Sequence, residues 1–139
     1  MVQMLKLTLA ACAVTLGLAL PATAQDAAIP AQLPDICKTG MSHDMGTMKM
    51  DMGGMDQAHQ DLAMGMDETN TQMMQAMMAS DIDVAFVCAM IPHHQGAINM
   101  ARAELKHGDS QWARDMAQKV IDAQEQEIAD MLSWLGEQK

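Results

Sequence analysis

Between Met90 and Met100 the chain reads MIPHHQGAINM: one proline, two adjacent imidazoles and a thioether at each end. On a helix, Met90 stands three residues before His93 and four before His94, so its sulfur can approach either ring. Met100 follows His93 by seven residues, two turns along the same face. Pro92 has no N–H, leaves the carbonyl of Cys88 without its helical donor, and predicts a kink just ahead of the histidine pair. An interior proline costs an ordinary helix roughly 3 kcal/mol, which suggests a role other than stability. Imidazole with thioether is a donor set for a soft or borderline metal ion. Gln95, Gln124 and Glu127 are candidate hydrogen-bond partners that would fix an imidazole tautomer. Met131 follows Glu127 by one turn and is expected to face the same groove.

A second set of sulfurs lies upstream. Residues 40–66 read GMSHDMGTMKMDMGGMDQAHQDLAMGM, with Met41, Met45, Met48, Met50, Met52 and Met55 in M-x-M and M-x-x-M spacings and His43 among them. Thioether sulfur is uncharged, needs no deprotonation, and selects Cu(I) or Ag(I) over hard cations such as Mg and Ca. Asp44, Asp51 and Asp56 would balance the charge of such an ion. Leu62 is the stretch's only branched aliphatic residue, so it cannot bury enough to offset its conformational entropy and is expected to be mobile without a ligand. Low-complexity filler, or a sink for oxidants through reversible sulfoxide formation, are the alternatives. The chain has 18 methionines against one Phe, two Trp and no Tyr. Packing does not explain that excess, because Met is a flexible gap-filler that specifies a core poorly.

The elements that must hold these groups are helices. Asp81 to His107 reads as one helical unit, with Ser80 or Asp81 as N-cap and Gly108 as its stop. Phe86, Met90, His93, Ala97, Met100 and Glu104 fall on one stripe; Ile91, His94, Ile98 and Ala101 fall beside it. A second helix is predicted from Asp109 or Ser110 to about Gly136. Its expected inward face is Trp112, Met116, Val120, Ala123, Glu127 or Ile128, Met131 and Leu135. The short turn at Gly108-Asp109 makes the two antiparallel neighbours. Asn70 to Ala79 is rich in helix formers, helix becomes readable somewhere between Gln57 and Thr71, and no strand pattern is present. The fold class is all-α: an antiparallel bundle of three to four helices over residues 67–139, preceded by a linker and Met-rich segment over 25–66.

Residues 1–24 read as a secretory signal: Lys6, an apolar run from Leu7 to Leu20, Pro21, and an Ala22-Thr23-Ala24 cleavage pattern. The run is too short to span a bilayer. Leu9-Ala10-Ala11-Cys12 resembles a lipoprotein box, but few apolar residues precede Cys12, so a soluble periplasmic or secreted protein is the preferred reading. Losing Lys6 with the signal takes the formal charge from −10 to −11. That acidity disfavours nucleic acid and anionic membranes and suits cations. The mature chain keeps Cys37 and Cys88, which in an oxidising compartment favour a disulfide; two soft thiolate ligands are the alternative. Glu104-Leu105-Lys106-His107 is a lone E-x-x-H, whereas a di-iron carboxylate site needs two such motifs and two further glutamates. No nucleophile elbow or oxyanion loop accompanies Cys88 and His93. No enzyme is expected.

The stretch DIDVAFVCAMIPHHQGAINMA, Asp81 to Ala101, resembles the signature of a family catalogued as domain of unknown function 305, which includes CopM-like periplasmic copper-resistance proteins. QEQEIADMLSWL, Gln124 to Leu135, is similar to that family's second block. The resemblance covers roughly residues 67–136. It implies a ferritin-like helical bundle that binds Cu(I), Ag(I) or Cu(II) without catalysis, through Met90, His93, His94 and Met100, with Gln124, Glu127 and Met131 beside them. The expectation is therefore an exported protein that sequesters or ferries Cu(I), exchanging it with other periplasmic copper-handling proteins. The alternative is a non-metal helical interaction module whose methionines scavenge oxidants.

Overall fold

The computed structural model describes residues 33–38 and 51–138. The signal region, with Cys12, and Met41, His43, Met45, Met48 and Met50 lie outside the described residues. Four helices follow a short 3-10 turn at Asp35–Lys38: α1 Gln57–Ala63, α2 Met66–Ala76, α3 Ile82–His107 and α4 Gln111–Glu137. No strand occurs among the described residues, and no helix there is long and apolar enough to cross a membrane. The fold is an all-α helical bundle.

Local chemistry sets the boundaries. Asp81 caps α3 by accepting from the backbone N–H groups of Asp83 and Val84 at 2.9 and 3.0 Å, satisfying two donors that have no helical partner. At the other end the Gly108 N–H donates to the Glu104 carbonyl at 2.8 Å. A Cβ at Gly108 would stand 2.8 Å from that same carbonyl oxygen, so the stop is glycine for want of space. Ser110 opens α4 by accepting from the Ala113 N–H. The Arg114 guanidinium reaches back to the carbonyls of Leu105 and Gly108, covering the exposed end of α3 with positive charge. Gly65 joins α1 to α2 in the left-handed region, φ 81°, where a side chain would be strained.

α3 is the central rod. α1, α2 and α4 all pack against it, and the 3-10 turn meets α2 and α3. The core runs through Val84, Cys88, Ile91, Ile98 and Ala101 of α3 and Ala117, Ile121, Ile128 and Leu135 of α4. Pro92 lies inside α3 without interrupting the helix. Its ring is among the largest fully buried side chains, with Ile98 and Cys88, so it has a packing role as well as a missing donor.

The structure corrects part of the expected inward face of α4, while Val120, Ile128, Met131 and Leu135 pack inward as read. Trp112 of α4 is 73 % exposed, and Met116 and Ala123 also face solvent. The buried stripe is Ala117, Ile121, Ile128 and Leu135, because small alanines let α3 and α4 approach where a tryptophan would hold them apart. On α3 the stripe of Phe86, His93 and Met100 faces outward, and the neighbouring Ile91, His94, Ile98 and Ala101 are the buried ones. α1 forms inside the segment expected to be mobile. Asp56 caps it through the His59 N–H at 3.0 Å, and Asp61 fastens it to α3.

Candidate metal centre

His93 and His94 are neighbours in sequence and opposites in environment. Successive helical residues are about 100° apart, so His93 is exposed while His94 points into the seam between α3 and α4, 6 % exposed. Their rings stand edge to face, centroids 5.8 Å apart. His94 Nε2 lies 2.5 Å from Glu127 Oε2, across the two helices. The Gln124 side-chain amide donates to the same Oε2 at 3.3 Å, so Gln124 supports the carboxylate and the carboxylate supports the imidazole.

That contact decides the tautomer. With Nε2–H donating to a carboxylate, the lone pair of a neutral ring is on Nδ1. Nδ1 is buried and has no hydrogen-bond partner. Sealing a polar atom without a partner costs about 1–3 kcal/mol, so the position calls for a reason. A carboxylate-oriented imidazole presenting its other nitrogen is the arrangement by which proteins orient metal-binding histidines.

The remaining predicted donors divide. Met90, one turn before His94, is half-buried, and Met131, one turn after Glu127, is half-buried against the core. Both have the spacing to flank the seam. His93 and Met100 sit on the outward face of α3. Gln95 does not serve the histidines: its amide donates to Asn99 Oδ1 at 2.8 Å. Met52 and Met55 precede α1, whose anchor on Lys106 is about 18 Å along α3 from His94. Cys37 and Cys88 are bonded to each other, Cα atoms 5.6 Å apart and both buried. The bond removes the alternative of two thiolate ligands. Among the described residues no three His, Cys, Asp or Glu side chains gather closely enough to hold an ion. An ion at His94 Nδ1 would therefore need sulfur to complete its coordination.

A second polar cluster escaped the sequence reading. Asp61 of α1 is buried and accepts from Lys106 Nζ at 2.5 Å, His107 Nε2 at 2.7 Å and Gln57 Nε2 at 2.7 Å. Hydrogen bonds from His107 first, then from Lys106 and Gln57, hold its carboxyl well below the usual carboxylate range. This is where the lone E-x-x-H spends its histidine. The available signal was the pair Lys106-His107 at a helix end, two donors wanting an acid. The acid stands 45 and 46 residues away, in a stretch without hydrophobic periodicity.

A family model described as domain of unknown function (DUF305) matches residues 16–135. The match reaches well upstream of the histidine motif and takes in the Met-rich segment and both bonded cysteines. No curated protein matches the chain.

Proposed function

The chain belongs to the DUF305 family, and from the geometry of its α3/α4 seam we propose that it is an exported copper-binding protein of the CopM-like kind. It sequesters or ferries Cu(I), with Ag(I) and Cu(II) as related cargo, and contributes to copper tolerance in the periplasm. The observation that carries the reading is His94: buried, oriented through Nε2 by Glu127, with Nδ1 sealed and unpaired. One oriented nitrogen, with Met90 one turn before His94 and Met131 one turn after Glu127 as candidate sulfur donors, suits a soft monovalent ion of low coordination number. A hard divalent ion would want more oxygen or nitrogen than the described residues bring together. His93 and Met100, outside the seam, are suited to receive an ion from solvent. In this reading Met41, His43, Met45, Met48, Met50, Met52 and Met55 supply further exchangeable sites. The acidic chain favours the approach of cations.

Titration of the mature protein with Cu(I) against a competing chelator tests the reading. The His93→Ala, His94→Ala double variant is expected to lose the tightest site; affinity equal to wild type would overturn it. Replacing Met41, Met45, Met48, Met50, Met52 and Met55 by Leu is expected to lower the stoichiometry. Deleting residues 41–66 would be a poorer test, since it also removes α1 and Asp61.

The oxidant-scavenging reading draws on a specific observation, the half-exposed methionines Met64, Met74, Met77 and Met78. It predicts peroxide consumption by these residues, repair by a sulfoxide reductase, and no change on removing both histidines.

A further inference from the structure

At the end of α2 stand four methionines in six residues, Met73-Met74-Gln75-Ala76-Met77-Met78. Met73 is half-buried and Ala76 fully buried, and this turn rests on the core through Ala76, with Ala79 packed beside it. Met74, Met77 and Met78 do not: they are 48, 55 and 47 % exposed. Helical geometry continues past the last residue of α2. The Met77 N–H donates to the Met73 carbonyl at 3.0 Å, the Met78 N–H to Gln75 at 3.1 Å and the Ala79 N–H to Ala76 at 3.2 Å. Met77 itself has φ −61° and ψ −13°. The three side chains are therefore related as i, i+3 and i+4 and leave the helix within an arc of about 100°.

We propose that Met74, Met77 and Met78 form a surface trithioether site for a soft monovalent cation, Cu(I) or Ag(I). Side chains three and four residues apart start about 5–6 Å from one another. Each has three rotatable bonds beyond its Cα, enough to bring three sulfurs around one ion without moving the backbone. Trigonal thioether coordination suits these ions and rejects Mg, Ca and Zn, which require oxygen, nitrogen or thiolate. Among the described residues the end of α2 carries the densest run of methionines, four in the six residues 73–78.

The electrostatics favour the same class of ion. The C-terminal end of a helix carries a partial negative charge that attracts cations. α2 has no basic residue in its last turn to offset it. From Thr69 to Ser80 the chain has no charged residue, and the next two are the acids Asp81 and Asp83. A bound monovalent cation meets no like charge from its own segment and has two carboxylates just beyond. Burial alone does not account for the trio, since each of the three side chains is about half exposed.

The site shares the soft-metal chemistry proposed above but none of its residues, so it stands or falls separately from His94. The test uses the mature chain with 13C-labelled methionine methyl groups and Ag(I), which has no redox chemistry to confuse the readout. The resonances of Met74, Met77 and Met78 are expected to shift together with one equivalent of ion, in wild type and equally in His94→Ala. The Met74→Leu, Met77→Leu, Met78→Leu variant is expected to lose one equivalent while keeping its helical circular dichroism. Three resonances that stay in place while other methionines respond would overturn the proposal, as would full stoichiometry in the triple variant. Loss of binding only in His94→Ala would support the α3/α4 site and overturn this one.

Discussion

The bond between Cys37 and Cys88 gives the sharpest stability prediction. It closes a loop across a sequence separation of 51 residues. In the chain-entropy account the cross-link removes about 14 cal/mol/K from the unfolded ensemble for a loop of that length, or about 4 kcal/mol at 25 °C. Domains of this size are stable by only about 5–15 kcal/mol, so the bond is a large share of the whole. The perturbation is Cys37→Ala with Cys88→Ala. Alanine is chosen because both sites are buried, and a serine hydroxyl would add an unpaired polar group. Leu33 and Ile36 still pack against the core beside position 37, so the variant folds, and the lost sulfur volume adds modestly to the destabilisation. Urea denaturation of both proteins, followed by helical circular dichroism, measures the difference. A loss of about 4 kcal/mol is expected, with a steeper denaturant dependence because the uncrosslinked chain exposes more surface. A loss below about 1 kcal/mol would refute the reasoning and mean that the unfolded chain already holds these two segments together.

Glu127→Gln keeps the size of the side chain and removes the charge facing His94; Cu(I) affinity is expected to fall about 10–100-fold with helicity unchanged, and chelator competition giving wild-type affinity would rule out an orienting role. Asp61→Asn replaces the charged acceptor that serves Lys106, His107 and Gln57. Hydrogen exchange is expected to show α1 losing protection while α3 and α4 keep theirs, and uniform protection would count against the anchor. In the parent, a carboxyl depressed in the folded state contributes stability fully above roughly pH 5 and loses it as pH falls through the unfolded value near 4 toward the folded one. α1 is therefore expected to stay docked in mild acid and to release only below about pH 4. Release between pH 5 and 7 would count against Asp61 as the controlling group.

What could be read in advance follows from how local each cause is. Asp81, Gly108 and Ser110 announce the ends of α3 and α4 through bonds made within four residues, and the structure places those ends as read. The hairpin and the all-α class follow from them. The rotation of α4 was not legible, because it depends on how closely two helices approach. Large apolar residues such as Trp112 and Met116 attract a sequence reader, whereas Ala117 is what allows contact. Asp61 was hidden for a different reason: its partners are at the far end of another helix and no periodicity links them. At the candidate centre, the histidine pair was singled out by its neighbours Met90 and Pro92. Its division into an outward His93 and an enclosed His94, and the hold of Glu127 on one particular nitrogen, needed coordinates. So did the diversion of Gln95 to Asn99.

The covalent joint at Cys88 also changes what a protease can do to this protein. Cys37 is tied to the N-terminal part of α3, so a single backbone cut anywhere from Lys38 to Val87 lies within a closed ring. Such a cut opens the ring without dividing the molecule. The nicked protein keeps α3 and α4 attached to the residues before the cut and migrates as one species until a thiol reductant separates the pieces. Intactness on a non-reducing gel is thus no measure of an uncut chain, and nicking and release are two separate chemical events.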